Sequence, residues 1–357
     1  QLGDDSDGFA ERLLASALGW IETMSIHIGS DLGWYDALVS EGPLTSAELA
    51  HSTSTAPRYA HEWLEQQAAY GILNVVGHPS TADGRRYALP TGAAEVLTDR
   101  ASLAYMAPLA RMLAASAAQM PALVEAYRAG GGVSWEQFGA HARESQAAMN
   151  RPWLEDVPNV MARHATFHAR LNTPGARVAD VGSGAGWSAI ALARAYPDLL
   201  VDGFDLDAPS VEIARANAEE AGVADRVRFH LADASRLAEF GPFDAALGFE
   251  FLHDVPHPQT VLRAMREATL ADGFVVIMDE AVEEEFTPKA GQLDRLMYGF
   301  SLFVCLPDGL SHLPSAGTGT VMRPSTLRRY AVEAGFAEIE VVEEDFGFWR
   351  FYELKRG

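Results

Sequence analysis

The chain has 357 residues, 48% of them hydrophobic, enough for more than one domain with a substantial core. Its 49 acidic and 27 basic residues leave a formal net charge of −22, which disfavours broad contact with a phosphate backbone or an anionic membrane. No apolar run reaches the length of a membrane span and no leader-like triplet of charged, apolar and small residues opens the chain, so a cytoplasmic protein without membrane or nucleic-acid partners is expected.

A chain that opens on Gln1 is expected to have lost its natural start, and residues 1–8, polar and rich in Gly and Asp, read as a frayed end. Over residues 9–30, Leu13, Leu14, Ala17, Leu18, Ile21, Met24 and Ile28 recur at helical spacing. That face is wider than one small domain covers, which predicts a homodimer. A shorter helix follows over 33–39, and Thr45 with Glu48 forms a capping box that opens another. Pro57 starts a longer helix carrying Trp63, Leu64, Ala68 and Tyr70 and stopping at Gly71. Residues 72–76 and 86–89, either side of a polar turn over 77–84, predict a hairpin. Helix, turn, helix and hairpin describe a winged helix, which raises gene regulation as a function. The polar side of its presumed recognition helix, however, carries Glu62 and Glu65 beside Arg58, His61 and Gln66, so two carboxylates would face phosphates.

From 97 to 130 an Ala-, Leu- and Met-rich helical stretch is interrupted by Pro108 and Pro121 and broken by Gly130, Gly131 and Gly132. Helices joined near Pro152 and Pro158 are predicted over 135–171. Met149, Asn150, Arg151 and Trp153 there either line a ligand site or pack as a linker. His164 and His168 stand at the i, i+4 spacing of metal ligands, but no third ligand is evident nearby and no metal is predicted.

The stretch VADVGSGAGWSAIALA at 178–193 reads as strand, tight loop and helix. Gly182, Gly184 and Gly186 can take positive φ and leave backbone amides aimed at a ligand before the helix. The third glycine comes one place earlier than in G-x-G-x-x-G, and Trp187 fills a position where a dinucleotide site needs a small residue. A pyrophosphate is therefore not the expected ligand; taken alone, the glycines also fit an empty tight turn. The next strand, LLVDGFDLD, ends in Asp205 and Asp207, where a carboxylate can accept both hydroxyls of a ribose. A helix over 209–221 and a strand over 226–231 lead to Asp233 and Ala234. Parallel strands with Gly, Asp and Asp at their carboxyl ends make a nucleoside site.

A fourth strand over 243–251 runs into His253 within Leu-His-Asp, and a helix follows from Pro258 to about Leu270. The fifth strand, 273–278, ends at Asp279 and Glu280; Glu283 to Glu285 read as a solvated face. An amphipathic helix with Leu293, Leu296, Met297 and Phe300, then a Pro/Gly/Ser-rich loop with His312, is placed to act as a lid. Within it the single cysteine, Cys305, excludes an internal disulfide, and its Phe-Val-Cys-Leu surroundings predict a buried, inert thiol. A helix over 325–335 and antiparallel strands over 338–342 and 348–354 close the chain.

DVGSGAG, FDLD, LADA and FDAALGFEFLHD resemble the successive motifs of class I S-adenosylmethionine-dependent methyltransferases, over roughly the second half of the chain. The first part resembles the N-terminal domain of two-domain small-molecule O-methyltransferases of the plant phenol and hydroxyindole type. The resemblance implies an α/β fold, a Rossmann-like seven-stranded methyltransferase sheet with an N-terminal, mostly α winged-helix domain. It divides the chain into a dimerising, substrate-closing domain over 1–95, a helical connector over 96–172 and a cofactor-binding domain over 173–357. S-adenosyl-L-methionine is the implied cofactor, held by Asp180, Gly182, Gly184, Gly186, Asp205, Leu206, Asp233, Ala234 and Phe249. The implied substrate is a small, largely apolar or aromatic molecule, lined by Met149, Trp153, Met297 and Tyr298. His253 takes the position of a general base oriented by Asp279, with a structural or cofactor-side histidine as the alternative. Those relatives use two glutamates; the second has no evident match in TGTVMRPSTL. Transfer to N, S or C without a histidine base therefore stays open, as does a non-catalytic winged-helix regulator that senses the cofactor.

Overall fold

The computed structural model describes residues 6–77, 81 and 84–357. Most of the expected frayed end and the middle of the expected polar turn lie outside them. The chain forms two compact units, Gln1–Ala117 with Glu144–Pro152, and Ala118–Arg143 with Trp153–Gly357. No helix among the described residues is long and apolar enough to cross a membrane.

The first unit opens with helices Ser6–Asp31, Trp34–Glu41, Ser46–Ser52 and Pro57–Ala69, followed by the antiparallel hairpin β1 (Asn74–Val76) and β2 (Arg86–Ala88). Thr45 caps the third helix with both bonds of a capping box, and Pro57 starts the fourth where its missing N–H costs no helical bond. Trp34, Tyr35, Leu49 and Leu64 are fully buried. Their polar atoms are satisfied: Trp34 Nε1 donates to the hydroxyls of Thr53 and Thr55 at 3.1 Å each, and the Tyr35 hydroxyl to Gln67 Oε1 at 2.5 Å. Phe9, Leu13, Leu14, Leu18, Ile21 and Ile28 of the first helix are exposed.

The second unit is built on a seven-stranded sheet of β3 (Arg177–Val181), β4 (Leu200–Asp205), β5 (Val227–Leu231), β6 (Phe243–Phe249), β7 (Thr269–Glu280), β8 (Glu338–Phe346) and β9 (Trp349–Lys355). Their spatial order is β5-β4-β3-β6-β7-β9-β8. The first five are parallel, and β9 runs antiparallel to both β7 and β8. The order reverses at β3, so a crevice opens beyond the carboxyl ends of β3 and β6. Helices Trp187–Ala195, Ala208–Glu220, Pro258–Ala268 and Pro324–Glu333 complete two apolar layers, with Val178, Val201, Leu247 and Val276 in one and Val181, Phe204, Ala246 and Ile277 in the other.

Three expectations are corrected. Helix Trp135–Arg163 runs unbroken through Pro152 and Pro158, and its backbone departs from helical geometry at Gly139 (φ 76°, ψ −164°) instead. Each proline removes one backbone donor, but fully buried Val157, Val160 and Met161 hold the helix in place. His164 is extended and separates this helix from Ala165–Leu171, so it shares no continuous helix with His168. The lid segment is also more helical than expected: Gln292–Phe300 continues through the wider turns of Ser301–Cys305 into Leu306–Leu310.

Candidate active site

The loop after β3 turns through Gly182 (φ 73°), Gly184 (φ 50°) and Gly186 (φ 82°), a run that residues with a Cβ rarely adopt. Gly184 faces open space, whereas a Cβ on Gly182 would stand 2.5 Å from the Phe251 ring. Beneath the loop Asp180 is buried, and its Oδ2 accepts the Ser188 hydroxyl at 2.6 Å. Burial pushes this carboxyl up to about 6 against the pull of that hydrogen bond.

Asp205 ends β4 with Oδ2 accepting the Gly184 N–H and Oδ1 the Asp207 N–H, both at 2.8 Å. Burial raises its pKa. The neighbouring Asp207 faces a different task. It caps helix Ala208–Glu220 through Ser210, whose N–H donates at 3.0 Å and whose hydroxyl donates at 2.6 Å. Arg143 grips both of its oxygens, at 2.5 and 2.9 Å. Against burial, these partners hold the Asp207 carboxyl below its usual range. Leu206 is 68% exposed at the tip of β4, and Leu231, opposite Asp205 in the β4–β5 register, is 55% exposed. Asp233 caps the short turn Ala234–Glu239 by accepting the Ser235 N–H at 2.8 Å. Phe249 lies in the core near Phe351, with ring centroids 6.2 Å apart.

Beyond β6 the chain turns sharply at Glu250 (φ 51°), the Phe251 ring closes over Gly182 and Gly248, and fully buried Leu252 anchors the turn. His253 follows, 2% exposed. Its Nδ1 lies 3.0 and 3.2 Å from the two Asp279 oxygens and 3.2 Å from Glu280 Oε2, while Nε2 lies 3.4 Å from Asp254 Oδ1. Burial disfavours the imidazolium, but the carboxylates of Asp254, Glu280 and Asp279 outweigh it and raise the His253 pKa well above the ordinary value. Burial also raises Glu280 well above the carboxylate range and, less strongly, Asp254.

Cys305 departs from the expected apolar setting. Its sulfur stands with His253 and Asp254 in a group whose polar atoms lie within 4.8 Å of one another. Burial, then the Asp254 charge, raises its thiol pKa. His253, Asp279 and Glu280 form a second such group. In the tautomer whose Nδ1 carries its proton towards Asp279, that nitrogen has no lone pair left for a cation.

Of the residues expected to line a substrate pocket, Met297 is buried on helix Gln292–Phe300 and the Tyr298 hydroxyl accepts from Arg323 at 3.2 Å. Trp153 packs edge-on against Phe346 and Trp349, at 5.4 and 5.3 Å between centroids. Met149 belongs to the first unit. Three functional roles were not read from the sequence: those of Glu280, named there only at the end of the fifth strand, of Arg143 and of Asp308. Asp308 accepts the Trp135 N–H at 2.7 Å, and burial followed by the Asp254 charge pushes it up to about 7. Their partners lie 27, 64 and 173 positions away or are set by a fold that no local pattern encodes.

Residues 172–308 match a family model described as a methyltransferase domain, and residues 21–99 match one described as an Rv2258c-like winged HTH domain. A ubiquinone biosynthesis O-methyltransferase of Xanthomonas axonopodis pv. citri is 34% identical over 213 residues, 57% of this chain and 83% of that one. One from Psychrobacter arcticus is 26% identical over 231 residues, 62% of this chain and 84% of that one. Among solved structures, a mitomycin 7-O-methyltransferase shares 22% identity at a TM-score of 0.73, covering 99% of this chain and all of that one. Human N-acetylserotonin methyltransferase in complex with S-adenosylmethionine shares 20% at 0.68, covering 99% of each. At these identities the two structures speak for the fold.

Proposed function

The chain belongs to the S-adenosylmethionine-dependent methyltransferases, and from that premise we propose that it methylates a hydroxyl of a small, largely apolar or aromatic molecule with His253 as general base. The observation that carries this reading is the buried imidazole with Nδ1 on Asp279. Several features support a fit to the cofactor. Asp205 stands at the strand tip where a ribose diol can be accepted, between exposed Leu206 and Leu231 that suit the faces of a planar base. Asp233 and Ala234 border the same end, and the amides around Gly182, Gly184 and Gly186 suit the amino-acid end, with Asp180 supporting the loop and Phe249 lying deeper.

The bound cofactor supplies an electrophilic methyl on a sulfonium. The protein's part is to align the acceptor in a dry pocket and remove its proton. His253 Nε2 takes the hydroxyl proton, and the Asp279 carboxylate on Nδ1 fixes the ring and stabilises the imidazolium that forms. Trp153, Met297 and Tyr298, all of the second unit, are the proposed pocket residues. The curated relatives named as O-methyltransferases favour oxygen over nitrogen, sulfur or carbon as the acceptor atom.

We further propose a cytoplasmic homodimer with no nucleic-acid partner. On helix Pro57–Ala69, Glu62 pairs with Arg58 and Glu65 with Arg85, so cations that could meet phosphates already face carboxylates. In the test, labelled cofactor is incubated with a phenol and heterocycle panel. Label on oxygen that is lost with His253→Ala supports the reading, and a gel shift of genomic fragments at low salt would overturn the nucleic-acid part.

A further inference from the structure

We infer that Glu280 stands as a neutral carboxylic acid at working pH and donates its proton to Asp279, as a positioning residue for the Asp279–His253 pair. This rests on the reading of His253 as the base. Neighbouring residues of a strand point to opposite faces, yet Asp279 and Glu280 both reach one imidazole, because β7 ends at Glu280 and the His253 loop lies at that end. Asp279 Oδ1 accepts from Nδ1 at 3.0 Å and from the Glu280 backbone N–H at 3.1 Å. Glu280 Oε2, 3.2 Å from the same nitrogen, has no hydrogen-bond partner among the described residues although Glu280 is only 2% exposed. Nδ1 has one proton, and Asp279 receives it.

Among the described residues the Glu280 oxygen has no ion pair besides the one with the shared His253 imidazole. Asp254 and Cys305 stand at His253, and the charges of Asp279 and Glu250 act on Tyr352 and Glu280 respectively. One imidazolium cannot balance the carboxylates of Asp254, Asp279 and Glu280 together, and an unpaired buried carboxylate is strongly disfavoured. A proton on Glu280 removes that charge and turns the residue into a donor, with an Asp279 oxygen in the same group of atoms that lie within 4.8 Å of one another. Asp279 then keeps a fixed orientation on Nδ1, and Nε2, 3.4 Å from Asp254 Oδ1, is the nitrogen the base reading uses. Glu280 so provides a second carboxyl at the histidine from the position next to the first.

Full-length Glu280→Gln and Glu280→Ala test this. Infrared difference spectra of wild type against Glu280→Gln at neutral pH should show the carbonyl stretch of a protonated carboxylic acid in the wild type alone. Because the amide still donates to Asp279, Glu280→Gln should keep kcat within about fivefold and leave the acid limb of the pH–rate profile in place. Glu280→Ala should lower kcat by about tenfold to a hundredfold at unchanged cofactor affinity, through a misplaced base. Absence of the protonated-acid band, or equal impairment of the Gln and Ala variants, overturns the inference. If His253→Ala keeps its turnover while the band is present, the base reading fails and the neutral Glu280 stands.

Discussion

Asp205 and Asp207, two residues apart, carry different partners and so different expected roles. Asp207 is tied up by Arg143 and by its helix cap, whereas Asp205 ends the strand between backbone amides. Asp205→Ala should therefore weaken S-adenosylmethionine binding at least about tenfold, the usual size for losing a charge-assisted hydrogen bond. Calorimetry showing unchanged affinity would remove Asp205 from the ribose, and an equal loss in Asp207→Ala alone would transfer the role. Asp180 makes a stability prediction. Its carboxyl is pushed up to about 6 by burial, so the folded state binds more protons than the unfolded chain between about pH 4 and pH 6. Stability from this group falls as pH rises through that window, by about 3 kcal/mol in all. Asp180→Asn should lack the fall, so its unfolding free energy relative to wild type should rise from pH 4 to pH 7; a constant difference in urea titrations would contradict this. The His253 shift sets the activity profile. A base must be neutral, so the rate should rise with pH through an apparent pKa above the ordinary histidine value, and the rise should vanish in His253→Ala.

At the scale of elements, the strand–loop–helix at 178–193 was legible because glycine spacing and apolar runs are local signals, and the five parallel strands follow within a few residues of their expected bounds. Less legible was what Gly130, Gly131 and Gly132 do. They read as a helix breaker, yet Gly132 lies against helix Leu306–Leu310, where a Cβ would stand 1.8 Å from the Pro307 carbonyl oxygen, and the Val133 N–H donates to that oxygen at 3.1 Å. Such contacts join segments more than 170 positions apart, and composition carries no trace of them. The same holds for Cys305, whose local sequence is apolar while its spatial neighbours are His253 and Asp254. Gly132→Ala should destabilise the protein by about 1 to 3 kcal/mol, since backbone on one side and a hydrogen-bonded strap on the other leave little room to relax. Urea unfolding at wild-type stability would show that the strap moves freely.

At the scale of the whole molecule, the exposed apolar face of helix Ser6–Asp31 motivates the proposed homodimer. Deleting residues 1–30 should give a monomer or an aggregate, and light scattering that finds the full chain monomeric at micromolar concentration would reject it. The central claim is methyl transfer to oxygen through His253. Its most direct test is mass spectrometry of a metabolite extract incubated with methyl-labelled S-adenosylmethionine and either the wild type or His253→Ala. The account predicts a labelled methyl ether formed by the wild type and made about two to four orders of magnitude more slowly by the variant, with cofactor affinity unchanged. Label on nitrogen, sulfur or carbon, or a variant that forms the product at the wild-type rate, would contradict it.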